Sequence, residues 1–153
     1  MRVAIIYSTN SGSTYQVASL IADVLEKKKY SVTLKRADQT SPHHLENVDL
    51  ILLGSGTWEW VREGQPRLEG QLQDLMRNFL ATLDPKKFAG QKFGVFACGD
   101  SSYTDFCAAA DHLEAFVKSC QGVLIQPSLR IDAFYFQLQK NRDLASQWAE
   151  KIA

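Results

Sequence analysis

The sequence predicts a doubly wound α/β fold, a five-stranded parallel sheet with helices on both faces. Three observations carry this. Short apolar runs alternate with longer stretches of helical periodicity along the whole chain. The run Asp49-Leu50-Ile51-Leu52-Leu53-Gly54 is continuously apolar between its ends, as in a parallel strand covered on both faces. Polar loops directly follow the first, third and fourth strands, at the sheet edge where ligands bind in such folds.

The elements follow in order. Residues 2–7 hold Val3-Ala4-Ile5-Ile6 and form the first strand. Val17, Leu20, Ile21, Val24 and Leu25 are spaced as one helix face, giving a helix over about 14–28. It ends in Lys27-Lys28-Lys29, which suits the negative end of a helix dipole. Residues 31–36 alternate polar and apolar, like an edge strand. Residues 38–47 contain Pro42, His43 and His44 and read as a surface connection; the histidines lack nearby ligand partners. The third strand spans 49–54, and a long polar-aromatic loop follows over 55–66. Leu68, Leu72, Leu75, Met76, Phe79 and Leu80 share one stripe and predict a second helix. The fourth strand is 92–98, and a loop over 99–105 leads into a third helix with Phe106, Leu113, Phe116, Val117 and Cys120 on its apolar face. A last strand covers 122–131, interrupted near Pro127, which cannot donate to a ladder. Leu144, Trp148 and Ile152 mark a final helix.

Composition narrows the function. A chain of 153 residues with 45% apolar content suits one globular domain, here 1–153. No apolar run approaches the roughly 20 residues that span a bilayer. The chain enters its first strand at once, so we expect no signal peptide and a cytoplasmic protein. Seventeen basic and 17 acidic residues give zero net charge, which argues against nucleic-acid binding. Cys98, Cys107 and Cys120 form neither a C-x-x-C pair nor a zinc spacing, and are expected to be buried thiols. No metal site is expected.

The loop Tyr7-Ser8-Thr9-Asn10-Ser11-Gly12-Ser13-Thr14 joins the first strand to the first helix. Five of its eight residues are Ser or Thr, Tyr7 adds a sixth hydroxyl, and none is charged. A helix start offers unpaired amides and a positive dipole end. Gly12 lets the backbone wrap closely. The lysine of a P-loop is absent, and so is G-x-G-x-x-G. One terminal phosphate held by neutral donors fits this loop; so does a Ser/Thr-rich turn that merely caps a helix. The second loop adds Trp58 and Trp60, and the third adds Tyr103 beside Gly99 and Asp100. Aromatic rings on two converging loops can sandwich a flat ring system. A phosphate plus a flat ring is a mononucleotide.

Here the chain resembles the short-chain flavodoxins over nearly its whole length. Ser8-Thr9-Asn10-Ser11-Gly12-Ser13-Thr14 looks like the family's S-T-x-x-G-x-T phosphate loop, and Leu53-Gly54-Ser55-Gly56-Thr57-Trp58 is similar to its L-G-x-S-T-W. Cys98-Gly99-Asp100-Ser101-Ser102-Tyr103, then Asp105-Phe106-Cys107, is the nearest match, and Leu129-Arg130-Ile131-Asp132 is a further family segment. The insertion that long-chain members carry in the last strand is missing.

The resemblance implies strand order 2-1-3-4-5, FMN as cofactor, and one-electron transfer between low-potential redox partner proteins. It implies that Thr9, Asn10, Ser11, Gly12, Ser13 and Thr14 hold the phosphate, with Ser8 opening the loop. Thr57 and Trp58 would line the inner face of the isoalloxazine, flanked by Gly56 and Glu59, and Tyr103 would stack on its outer face. Backbone groups of Cys98, Gly99 and Asp100 would meet the pyrimidine edge, with Phe106 and Cys107 completing the site. Asp100, Glu59 and Glu63 would disfavour an anionic reduced flavin by like charge. No side chain needs to act as acid or nucleophile, so the resemblance implies a carrier rather than an enzyme.

Two departures stand out. The family often has Gly after the loop tryptophan, where this chain has Glu59, and a non-Gly residue at positive φ is costly. We therefore expect the one-electron-reduced flavin to be less stabilised than in a Gly-bearing relative. Flavodoxins are typically strongly acidic, whereas this chain is neutral and sets Arg62 and Arg67 in or beside the flavin loop. The competing readings are an FMN-dependent NAD(P)H:quinone-type reductase and a non-redox binding module of the same fold. We expect a monomer, because the flavin edge must stay open to exchange electrons.

Overall fold

The computed structural model describes residues 1–9, 11–60, 63–64, 68–100 and 107–153, with backbone alone for 58–60 and 68–70. The strands are β1 (Arg2–Ser8), β2 (Ser31–Arg36), β3 (Leu50–Trp60), β4 (Leu68–Leu72), β5 (Lys92–Gly99), β6 (Val123–Leu124) and β7 (Leu129–Asp132). The helices are α1 (Ser13–Lys27), α2 (Asp74–Ala81), α3 (Ala108–Ser119) and α4 (Leu138–Glu150). Short 3₁₀ turns at Ala37–Gln39 and Pro42–Leu45 fill the surface connection, and a third lies at Pro85–Phe88.

The sheet runs β2-β1-β3-β5-β6, with all of these pairs parallel. β7 also pairs in parallel with β5, so β6 and β7 are two pieces of one edge position, broken around Pro127. This is the doubly wound order that the sequence implied.

Side-chain alternation explains the continuous apolar runs. Val3 and Ile5, Leu50 and Leu52, and Phe96 and Cys98 face one layer with α1 and α4. Ala4 and Ile6, Ile51 and Leu53, and Val95 and Ala97 face the other with α2 and α3. Successive strand residues point to opposite faces, and both faces are covered, so no polar position is left between them.

Three expectations are corrected. β3 does not end at 54 but continues to Trp60, and β4 folds back on it antiparallel, with Thr57 opposite Leu72 and Trp58 opposite Gln71. The predicted helical stripe therefore starts too early: Leu68 and Leu72 belong to β4, and α2 begins at Asp74. Gln73 between them is extended, at φ −62° and ψ 146°. In α4 the buried face is Asn141, Ala145, Trp148 and Ala149, whereas Leu144 is exposed.

All three cysteines are buried and unpaired. His43 and His44 stack on each other, with both Nδ1 atoms within 3.2 Å of Ser41 Oγ. Among the described residues no helix is long and apolar enough to cross a membrane.

Candidate functional site

β1, β3 and β5 lie side by side and end at the same edge, so the segments that follow them are neighbours. Ser8 closes β1 and lies in register with Ser55 of β3. Both serines are fully buried. The Ser8 hydroxyl donates to Ser55 Oγ at 3.2 Å. Ser55 Oγ donates in turn to Gly56 O at 2.8 Å and accepts the Gln73 N–H at 3.3 Å.

Beyond Ser8 the chain turns into α1. The Gly12 N–H donates to Thr9 Oγ1 at 2.9 Å. Gly12 sits at φ +90°, a left-handed conformation that strains any residue with a Cβ. Its carbonyl accepts the Gln16 N–H at 3.1 Å and opens the helix. Among the described residues no side chain caps α1, and its first turn has no acidic residue. The amides of Ser13, Thr14 and Tyr15 thus have no partner within the helix, at the positive end of its dipole. Thr14 is 1% exposed, and its Oγ1 lies beside the Cys98 thiol but makes no hydrogen bond of good geometry among the described residues. A buried hydroxyl left unpaired costs about 1–3 kcal/mol, and native proteins rarely tolerate one. Unpaired amides, a positive dipole end and an orphaned hydroxyl together make a neutral anion cradle.

The second segment is the extension of β3. Thr57 Oγ1 accepts the Ala109 N–H at 3.3 Å, which fixes the start of α3 against it. Between Trp58 and Trp60 the pairing slips: two steps along β3 oppose three along β4, from Gln71 to Leu68. The irregularity falls opposite Glu59, and bulges of this kind re-aim the strand locally. Gln73 is buried nearby, and its Oε1 also has no partner among the described residues.

The third segment starts where β5 ends. A Cβ on Gly99 would lie 2.8 Å from Cys107 N and 3.1 Å from Cys107 Sγ, so only glycine permits this approach. Cys107 is fully buried at φ 49°, and its Sγ lies 3.3 Å from Ile131 O and 3.6 Å from Ala97 O. Arg130 Nη1 donates to Cys107 O at 3.0 Å, while Nη2 reaches Asp111 at 2.7 Å. Burial pushes the Cys107 thiol up to about 12. Burial also pushes the Cys98 thiol up to about 11, against a partial pull back from the Thr14 and Ser13 hydroxyls. Both are neutral, inert thiols at physiological pH.

The structure thus brings Thr9, Ser11, Gly12, Ser13 and Thr14, the backbone of Gly56 to Glu59, and Cys98, Gly99 and Asp100 to three adjacent strand ends. The Ser8 hydroxyl and the Cys107 thiol turn inward and find their partners inside the protein, so these side chains brace the loops. Asn10, Tyr103 and Phe106 lie outside the described residues. Sequence reasoning missed Tyr135, whose hydroxyl donates to Ser11 O at 3.0 Å. The run Phe134-Tyr135-Phe136, one residue beyond the Leu129–Asp132 strand, was the available signal: another aromatic cluster at a strand's carboxyl end.

The strand order and the cradle at the head of α1 define a doubly wound α/β protein of the mononucleotide-binding kind. The sequence profile of the flavodoxin family matches residues 5–135. A flavodoxin from Maridesulfovibrio salexigens is 34% identical, covering 97% of this chain and 94% of its own. A flavodoxin from Nitratidesulfovibrio vulgaris is 31% identical, covering 98% and 95%. The crystal structure of oxidised flavodoxin 2 from Bacillus cereus superposes with a TM-score of 0.83 at 29% identity, covering 97% and 95%. The chain belongs to the flavodoxin family. FMN as cofactor and electron transfer as function go with that membership.

Proposed function

We propose that this chain holds one FMN at the carboxyl edge of its sheet and passes single electrons between redox partner proteins, as a cytoplasmic monomer. The observation that carries the reading is the Thr14 hydroxyl, buried at the uncapped start of α1 with only the weak Cys98 thiol beside it and no well-formed hydrogen bond among the described residues. A phosphate ester supplies the acceptors that this hydroxyl and the first-turn amides lack. The residues present fit the group on that ground.

Thr9, Asn10, Ser11, Ser13 and Thr14 would hold the phosphate with their amides, and Gly12 would let the backbone close around it. Thr57 and Trp58, with Gly56 and Glu59, would line one face of the isoalloxazine. Tyr103 and Phe106 would cover the other side, and the backbone of Cys98, Gly99 and Asp100 would meet the pyrimidine edge. FMN, when bound, supplies the capacity to take up and release electrons one at a time. The chain binds it, excludes water from its faces and sets the charge around it. Neutral donors at the phosphate leave the phosphate's own charge uncompensated by any side-chain cation within Ser8–Thr14. That residual charge and the Asp100 carboxylate both work against adding further negative charge nearby.

The test is a fluorescence titration of FMN with the apoprotein, joined to an NAD(P)H oxidation assay on the loaded protein alone. We expect one-to-one quenching and no NAD(P)H oxidation without a partner. Absence of quenching would overturn FMN binding. Steady NAD(P)H oxidation by the protein alone would replace the carrier by a reductase.

A further inference from the structure

Tyr135 belongs to no recognised part of the site, yet it touches the centre of the phosphate loop. Its hydroxyl donates to Ser11 O at 3.0 Å. The same peptide unit is held at its other end, where the Gly12 N–H donates to Thr9 Oγ1 at 2.9 Å. One peptide plane is therefore pinned from both sides. It is the plane that directly precedes the left-handed turn at Gly12 and the amides of Ser13, Thr14 and Tyr15, which have no partner within the helix. A Cβ on Gly12 would lie 3.2 Å from the Tyr135 hydroxyl, so the tyrosine also closes over the turn.

Tyr135 is itself firmly placed. Ala133, at φ 46°, turns the chain out of β7, and its N–H donates to Gly99 O at 2.8 Å. The Phe136 and Gln137 N–H groups donate back to Ala133 O at 2.9 and 3.1 Å, which closes the turn. Gln137 Nε2 and the buried Asn141 Nδ2 both donate to Asp132 O, at 3.3 and 2.7 Å. Phe134 anchors the turn in the core and meets the Tyr135 ring edge-on, with centroids 5.2 Å apart at 80°. One turn thus grips the end of β5 through Gly99 and the phosphate loop through Ser11.

We infer that Tyr135 is a positioning residue for the phosphate end of the cofactor: it fixes the Ser11–Gly12 peptide so that the first amides of α1 are set for a phosphate before one arrives. The inference rests on the phosphate reading of this loop. An unpinned peptide would have to be ordered at the moment of binding, and that ordering lowers affinity for a phosphate-bearing ligand alone.

The test compares FMN with riboflavin, which has the same ring system without the phosphate. Tyr135→Phe keeps the ring and its packing and removes only the hydroxyl. Tyr135 is 53% exposed, so the change empties no core. Loss of one hydrogen bond should weaken FMN binding by roughly five- to tenfold. Riboflavin binding should stay within about twofold, since the variant leaves every ring contact in place. Phe136→Ala, its 89% exposed neighbour, should change neither ligand. Equal weakening of both ligands by Tyr135→Phe, or no weakening of FMN, would overturn the positioning role while leaving the phosphate reading intact. A wild-type chain that binds riboflavin as tightly as FMN would overturn the phosphate reading, and this inference with it.

Discussion

The hydroxyl of Ser8 donates to the hydroxyl of Ser55 across 3.2 Å, joining the last residue of β1 to its register partner in β3. Ser55 is the hub of this small network, since it also donates to Gly56 O and accepts from Gln73 N. Ser55→Ala strands the buried Ser8 hydroxyl and Gln73 N–H, removes a donor from the partly buried Gly56 carbonyl, and should destabilise the protein by about 2–3 kcal/mol. Ser8→Ala strands only one lone pair of a still-bonded hydroxyl and should cost about 1 kcal/mol. Urea unfolding of the two variants checks the order. FMN affinity should change little in Ser8→Ala, because its hydroxyl faces Ser55.

Gly99 lies against the backbone of Cys107 so closely that an added Cβ meets its nitrogen at 2.8 Å. Gly99→Ala must therefore displace either the end of β5 or the start of α3. Overpacking of this kind costs about 1–3 kcal/mol. Because Gly99 also accepts from Ala133 N, the displacement should reach the ligand edge and weaken riboflavin and FMN alike. A thermal melt paired with both flavin titrations separates this pattern from that of Tyr135→Phe.

The two thiols beside the site give a pH prediction with a defined sign. Folding raises Cys98 from its ordinary 9.0 to about 11 and Cys107 to about 12. The folded chain holds both protons more tightly than the unfolded chain. The stability from this source is complete below pH 9 and falls as pH rises through 9 toward 11 and 12, by at most about 1.4 kcal/mol per pH unit for each thiol. Urea midpoints should drop between pH 8.5 and pH 10.5, and Cys98→Ala should lessen the drop. At pH 7.5 neither thiol should react with iodoacetamide in the folded protein; rapid labelling of either without unfolding would contradict its burial.

Glu59 stands opposite the slip in the β3–β4 pairing, whose extra residue lies in β4. A side chain there resists positive φ; glycine does not. Glu59→Gly should therefore widen the separation between the two one-electron potentials of the bound flavin. Redox titration of the variant beside wild type measures it, and an unchanged separation would remove Glu59 from the account.

Legibility of the sequence varied with the kind of signal. β1, β2 and the first half of β3 were readable because apolar runs and alternation have one interpretation when bounded by turns. The second half of β3 was not, because Thr57 to Trp60 is polar and aromatic and owes its strand form to pairing with β4. Leu68 and Leu72 fit a helical stripe with Met76 equally well; the antiparallel partner decided against it. In α4 the buried face is built on Ala145 and Ala149, which carry little hydrophobic signal, and on Asn141, a polar residue buried to bond Asp132 O. Leu144 drew attention instead and lies outside. At the site, composition marked the loop before α1 but left a phosphate cradle and a Ser/Thr-rich capping turn both open. Tyr135 was not legible, because its role comes from a contact 124 positions away.

An anaerobic titration of the FMN-loaded protein with a one-electron reductant, followed by visible absorbance, tests the electron-carrier reading most directly. A one-electron carrier gives two resolved steps, with a long-wavelength band that rises over the first equivalent and falls over the second. A single two-electron conversion without that band, from a protein shown to hold FMN one-to-one, would contradict it.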